Sequence, residues 1–279
     1  MTRDCAECGR TLPQSSYTAN QYSKGAGVSR CAAFVDGLST DSPPRAVGNA
    51  GRHNTSSHAI FTTEDLDNPF ASGAFRWVAK GEYTNGPREG QPCVAKWFKT
   101  GVVFSQDFFL LDIKAVDKSL DIVNKFNEFN IASKAVVINV PEVWEFSRQA
   151  SSNRAGSKTV TEPYIENYVK FNSNSGWTDS SQGWPEIMQA LSHFSYHITG
   201  GNFVLCDLQG GIYQQHVVLS HPVILSRNRE YGVTDLGPDG ISTFFSQHRS
   251  NLFCRSDWTA PVAPRQILRV VPGTTMMGH

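Results

Sequence analysis

The chain has 279 residues, enough to bury a proper core and to form one or two domains. Its 25 Lys and Arg balance 25 Asp and Glu, so no charge excess points to nucleic acid or a membrane surface as a partner. No apolar run is long enough to span a bilayer, the start MTRDCAECGR has no apolar secretory core, and the six cysteines form no disulfide framework, so the cytosol or nucleus is the expected compartment.

Residues 1–36 read as a small head. Cys5 and Cys8 form one Cys-x2-Cys pair, whose thiolates can share one tetrahedral metal. The second half of such a site is CAAF (31–34), where Cys31 is present and Phe34 stands in the last ligand position. The stretch resembles the short zinc module of some fungal silencing-associated proteins. The other reading is a degenerate remnant that binds metal poorly or not at all. Residues 37–60 are rich in Ser, Thr, Pro, Gly and Asn, and read as a flexible linker.

A globular part is expected from Phe61 to Trp258, followed by a C-terminal tail over 259–279. CVAKWF (93–98) reads as a strand carrying Lys96, and 107–129 as a helix from its apolar residues at three- and four-residue spacing. AVVINVPEVWEFS and TVTEPYIENYVKF each read as a strand. The spacing predicts a helix over 184–201, with Pro185 in its first turn, one face of Ile187, Leu191, Phe194 and Ile198, and a stop at Gly200-Gly201. NFVLCDL is then a strand, and 238–248 a helix capped by Asp239. Strands dominate the first half and helices frame strands in the second, which gives an α+β fold of two lobes.

Four features carry chemistry. ASGAFR (71–76) is a small-residue turn whose backbone amides suit phosphate. Lys96 lies inside an apolar strand, where a lysine can reach phosphates as a point charge. Asp207 and Gln209 sit at a strand end and suit a cation that prefers oxygen. His193, His248 and Cys254 have metal-ligand character. Singly these are ordinary: a strand lysine is usually an edge residue, and a Gly-Ala turn is usually only a turn. Together they describe nucleotide-dependent phosphoryl transfer.

Residues 61–258 resemble the alpha-kinase family, the atypical Ser/Thr protein kinases, with wording close to its fungal members. The carrying stretches are GAFR, CVAKWF, TEPYIENYVKFNSNSGW, ALSHFSYHITGGNFVLCDLQG, DLGPDGISTFF and QHRSNLFC, in the family's order. The resemblance implies a two-lobed kinase fold with a nucleotide cleft between the lobes and a structural zinc site in the C-lobe. It implies ATP, Mg²⁺ or Mn²⁺, and zinc as cofactors, and a protein substrate as partner. By matching motif, Gly73, Ala74, Phe75 and Arg76 lie in the phosphate-covering loop, and Lys96 contacts the nucleotide. Glu162 and Tyr164 fall at the segment joining the lobes, Asn172 and Asn174 line the cleft, and Asp235 sits in the DLG turn. Asp207 is the catalytic acid and Gln209 the metal-facing amide. Zinc falls to His193, His248 and Cys254.

The chain also departs from the family pattern. The family's second acidic motif is Thr/Ser-Asp-Pro; here it is Ser220-His221-Pro222, so His221 replaces a carboxylate. Ser250 stands where a fourth zinc ligand, a cysteine, belongs. Two functions therefore remain: an ATP-dependent Ser/Thr kinase, or a pseudokinase that binds nucleotide with impaired catalysis. A binding module with the head as its working part is a third.

Overall fold

The computed structural model describes residues 2–6, 11–17, 22–29, 58–147 and 154–277. The chain divides into two compact units, residues 1–45 and 46–279. In the first, β1 (Thr2–Asp4) and β2 (Thr11–Pro13) pair antiparallel, and Cys5 and Tyr17 are buried against Leu12 and Tyr22. Cys8, Cys31 and Phe34, and the linker as far as residue 57, lie outside the described residues.

The second unit begins its order inside the expected linker. Ala59–Ile60 form β3, which pairs with β5, so the ladder to Tyr83 and Glu82 takes up the last residues assigned to a flexible segment. A short helix α1 (Thr63–Asp67) leads to β4 (Ala71–Ser72), β5 (Arg76–Tyr83) and β6 (Pro92–Phe98). Helix α2 (Leu110–Glu128) buries Ala115, Val116, Ser119, Ile122, Val123 and Phe126, the three- and four-residue stripe its sequence predicts.

The two long expected strands are each broken in two. The first becomes β7 (Ala135–Ile138) and β8 (Glu142–Glu145); the second becomes β9 (Lys158–Pro163) and β10 (Val169–Lys170). The reason is topological. β8 and β9 belong to the N-lobe sheet, ordered β3-β5-β6-β9-β8, whereas β7 and β10 belong to a C-lobe sheet, ordered β10-β12-β13-β7. The chain thus crosses between lobes twice, at 139–141 and 164–168. Asn139 ties the crossings together, since its Nδ2 donates to the Pro163 carbonyl at 2.9 Å and its backbone N–H to Leu219 O at 2.6 Å.

Helix α3 (Trp184–Ile198) starts with Pro185 in its first turn, and Glu186 accepts from the Gly183 N–H at 3.0 Å. Gly200 and Gly201 follow it with φ of 62° and 81°, the left-handed conformation that ends a helix. Ile187 through Tyr196 are all buried, well beyond the one apolar face expected. The helix lies between two hydrophobic clusters: Leu191 and Phe194 join the one that includes α2 residues, while Tyr196 joins the one that includes Phe244 and Phe245.

The remaining strands are β11 (Phe203–Cys206), β12 (Gln209–Ile212), β13 (His216–Leu219) and β14 (Val223–Ser226). Helix α4 (Gly237–Gln247) starts one residue earlier than predicted, and Asp239 does not cap it. Asp239 lies in the first turn, where its carboxylate accepts from Arg229 Nη2 at 2.8 Å. Residues 259–277, set apart as a tail by the sequence, pack on the same unit, with Leu268 and Met277 against the α4 cluster. Among the described residues, no helix is long and apolar enough to cross a membrane.

Candidate active site

A cleft of ≈ 830 Å³ lies between the lobes, and Gly73, Ala74, Phe75 and Arg76 line one side of it. The turn joining β4 to β5 is closed by the Gly73 N–H donating to Arg76 O at 2.9 Å. Arg76 is buried, donates to Asp112 Oδ2 at 2.8 Å, and stands 4.8 Å from the centroid of the Phe98 ring. It therefore anchors the turn to α2.

Lys96 also faces the cleft. In the ladders, Lys96 lies opposite Val160 and Val94 lies opposite Glu162. Residues two apart on a strand share a face, so Lys96 and Glu162 are diagonal neighbours. The Lys96 ammonium donates to Glu162 Oε1. Ser220 Oγ donates to the same oxygen at 2.7 Å, and Lys96 Nζ lies 3.3 Å from Ser220 Oγ. Burial is the largest influence and pushes the Glu162 carboxyl up, but the Lys96 ammonium and the neighbouring His221 together more than offset it and hold the carboxyl well below the usual carboxylate range. Burial moves Lys96 down, with Glu162 opposing. Tyr164 lines the cleft beside this pair, as Glu162 does.

The floor is built by nested pairing. β11 and β14 run antiparallel with Cys206 opposite Val223, and the β12–β13 hairpin is inserted between them. Asp207 therefore leaves β11 at the same edge where Ser220-His221-Pro222 enters β14. Asp207 and His221 both take left-handed backbone angles, φ 57° and 46°, a region that Asp and His tolerate better than most residues. Asp207 is buried, with three partners: Lys170 Nζ donates to Oδ1 at 2.9 Å, Gln209 Nε2 to Oδ2 at 3.1 Å, and Thr274 Oγ1 to Oδ2 at 2.8 Å. His221 Nε2 lies 3.3 Å from Glu162 Oε1, outside hydrogen-bond geometry. Burial, and then the Lys96 charge, lower the His221 pKa, so the ring is neutral at pH 7.

Three expected cleft residues serve inside the C-lobe instead. Asn172 is buried; its Oδ1 accepts from the Leu208 N–H at 2.9 Å and its Nδ2 donates to Ser192 Oγ at 3.0 Å, so it holds the chain next to Asp207 without facing the cleft. Asn174 donates to the carbonyls of Thr234 and Thr275. Asp235 is fully buried and accepts from the N–H groups of Ser226, Tyr231 and Gly237 and from the Ser226 hydroxyl. Its carboxylate builds the DLG turn and has no capacity left for a nucleotide or cation.

The profile of the alpha-kinase family matches residues 71–254, about two thirds of the chain. The chain belongs to the alpha-kinase family. Alpha-protein kinase 1 of Dictyostelium discoideum is 29% identical over 200 residues, which cover 71% of this chain and 14% of that protein. Eukaryotic elongation factor 2 kinase of Rattus norvegicus is 33% identical over 110 residues, 38% of this chain and 14% of that protein. The chain thus spans only a small part of these relatives' length. The solved alpha-kinase domain of myosin heavy chain kinase A in complex with AMP shares the fold, with a TM-score of 0.59 at 23% identity over 70% of this chain and 88% of that one.

A cluster of three metal-type side chains lies apart from the cleft. His193 on α3, His248 after α4 and Cys254 bring their ligand atoms within 4.8 Å of one another. His193 Nδ1 and His248 Nε2 are 3.1 Å apart, and Cys254 Sγ is 3.7 Å from His248 Nε2. His193 Nε2 is 3.1 Å from the Thr259 carbonyl; donating there leaves Nδ1 as the acceptor. Ser250 is exposed. His197 turns away, stacking on Trp258.

The sequence reading missed Lys170, Ser220 and Thr274 as site residues, and missed the side-chain role of Glu162. Lys170 had a signal, since it opens the KFNSN stretch two residues before Asn172. Thr274 had none, because it lies 67 residues from Asp207.

Proposed function

We propose that this chain is an ATP-dependent protein serine/threonine kinase of the alpha type. The observation that carries the reading is one cleft holding the Lys96–Glu162 pair on one side and a buried Asp207, flanked by Lys170 and Gln209, on the other. Lys96, held by Glu162, is placed to receive phosphate oxygens under the Gly73–Phe75 turn. The apolar stretch near Tyr164 takes the base. Asp207 accepts the proton of the substrate hydroxyl as that oxygen attacks the γ-phosphorus. Lys170 orients the carboxylate and keeps its charge tolerable in a buried position.

A divalent cation carried in on the nucleotide needs only one or two protein oxygens, and the Asp207 carboxylate and Gln209 amide oxygen fit that demand. Bound there, Mg²⁺ or Mn²⁺ would neutralise charge on the phosphates. The second cluster suits zinc. Zn–N bonds of about 2.0–2.1 Å and Zn–S bonds of about 2.3 Å in a tetrahedron imply edges of roughly 3.3 and 3.6 Å, close to the His193–His248 and His248–Cys254 separations; the set as a whole spans 4.8 Å and would close up on a bound ion. His193, His248 and Cys254 would supply three corners.

The test is transfer of phosphate from ATP to a basic Ser/Thr-rich protein, with Mg²⁺ or Mn²⁺, in the wild type and Asp207→Ala. The substitution should cut the rate by about 10²–10⁴-fold. His221 favours a second reading, a pseudokinase: a neutral imidazole stands where the family pattern has an acid. Nucleotide binding by calorimetry with no transfer under either metal would select that reading.

A further inference from the structure

Gln189 is a buried amide that neither site uses. It lies on α3, is 7% exposed, and its Oε1 has no hydrogen-bond partner among the described residues. An amide oxygen buried without a partner is unfavourable, and such an atom in a folded chain needs a physical reason. Gln189 stands one helical turn before His193, on the same face of α3. A second unpaired atom belongs to the metal-type cluster itself: His248 Nδ1 is also buried without a partner among the described residues. Gln189 and His248 line one cavity of ≈ 610 Å³, and they are the two residues of its lining with a buried, unpaired side-chain atom.

The tautomers explain why these two atoms do not pair with each other. His193 Nε2 donates to the Thr259 carbonyl at 3.1 Å, so His193 Nδ1 is a bare acceptor. His248 Nε2 lies 3.1 Å from that Nδ1 and carries the proton that joins the two rings. A neutral imidazole has one N–H, so His248 Nδ1 is an acceptor as well. It cannot pair with Gln189 Oε1, another acceptor. A metal ion reverses this. Zinc takes the lone pairs of His193 Nδ1 and His248 Nε2, and the single proton of the His248 ring then resides on Nδ1. Metal-bound imidazoles almost always give that N–H to a carbonyl, a carboxylate or water. His193 already has its carbonyl, that of Thr259.

We propose that Gln189 is the positioning residue of this metal site: on zinc binding His248 exchanges tautomer, and its Nδ1–H donates to Gln189 Oε1. The proposal rests on the zinc assignment above. The imidazole keeps one proton throughout, from Nε2 to Nδ1, so both unpaired atoms are satisfied without a change of charge on the ring. The bond raises the basicity of Nε2 toward the metal and fixes the ring plane. It also ties α3 to the end of α4 on the cavity side.

The test uses the full chain, stripped of metal and titrated with Zn²⁺ against a chromophoric chelator. Gln189→Met keeps the length of the side chain and removes the acceptor; Gln189→Glu keeps an acceptor. Zinc affinity should fall about 10–100-fold in Gln189→Met and match or exceed the wild type in Gln189→Glu. In excess chelator, Gln189→Met should melt no lower than the wild type, because the oxygen it removes is unpaired without metal. Long-range ¹H–¹⁵N correlation of the imidazoles should place the His248 proton on Nε2 in the metal-free wild type and on Nδ1 after zinc is added. Equal zinc affinity in wild type and Gln189→Met overturns the proposal and leaves the zinc assignment standing. So does a His248 proton that stays on Nε2 in the zinc-loaded wild type, a measurement that needs no variant. A Gln189→Met protein destabilised as much without metal as with it shows a merely structural amide and overturns the proposal too. A Co²⁺-loaded Gln189→Met whose ligand-field spectrum reports a lost oxygen ligand would put Gln189 on the metal itself, also against the proposal. No zinc bound by the wild type overturns both.

Discussion

Glu162 is the residue whose chemistry depends most on its surroundings. Its side chain is 2% exposed and meets Lys96, itself 13% exposed, so each ion is satisfied largely by the other. Removing one member of such a pair strands the other charge in a dry site, at a cost of about 3–5 kcal/mol. Glu162→Gln should lower unfolding stability by that order in urea titration, and adding Lys96→Met should recover much of the loss. A loss under about 1 kcal/mol, the scale of exposed pairs, would show that the ions are solvated. His221 beside them gives a pH signature. Its folded pKa lies below the unfolded value near 6.5, so both states leave it neutral above pH 6.5 and its contribution is intact there. As pH falls below 6.5, the unfolded chain takes the proton first and stability declines. Glu162 contributes no slope until pH drops below its unfolded value near 4.5. Between pH 6.5 and 5, His221→Gln should therefore show a shallower fall in melting temperature than the wild type. Parallel curves would place His221 in solvent.

The β12–β13 hairpin decides where Gln209 and Asp207 stand. Gly210 lies opposite Leu219, and a Cβ built on it would come 1.8 Å from the Val218 carbonyl oxygen. That neighbour is backbone and cannot turn aside, so the hairpin closes this tightly only with glycine. Gly210→Ala should cost about 2 kcal/mol or more, read from the denaturant midpoint, and should weaken nucleotide binding through displaced Gln209. An unchanged midpoint would mean that the two strands lie further apart than described. Element boundaries show what a local pattern can convey. The Lys96 strand, the α3 helix and its glycine stop, and the strand ending on Asp207 were legible because periodicity and end signals are local. The two breaks at 139–141 and 164–168 had local signals, Asn139 and Pro141 in one and Glu166-Asn167 in the other, but the sheet that each half joins did not, because the chain changes sheets at both.

At the scale of the molecule, the three-residue cluster links α3, the end of α4 and the segment carrying Cys254. Zinc held by His193, His248 and Cys254 would bind only the folded arrangement and so stabilise it. A chelator should then lower the melting temperature of the wild type, by about 4–8 °C for a loss of about 2 kcal/mol, and leave Cys254→Ala unaffected. Equal response of the two proteins, or no zinc by elemental analysis of the wild type, would refute the assignment. Family and lobe architecture are written in contiguous blocks such as SHFSYHITGGNFVLCDLQG, so the sequence alone determined them; it also singled out Lys96, Asp207 and Gln209, which the fold brings to one cleft, and His193, His248 and Cys254, whose ligand atoms it brings within 4.8 Å of one another. Only the tertiary structure decided the partners: Glu162 on Lys96 across 66 residues, Lys170 on Asp207 across 37, Asn174 on Thr275 across 101, and Thr274 on Asp207 across 67. It also turned Asn172, Asn174 and Asp235 from expected cleft contacts into internal ties. The physical reason is that a strand's alternation tells which face a side chain takes, whereas its partner depends on register and on the path of distant segments, which no local spacing encodes.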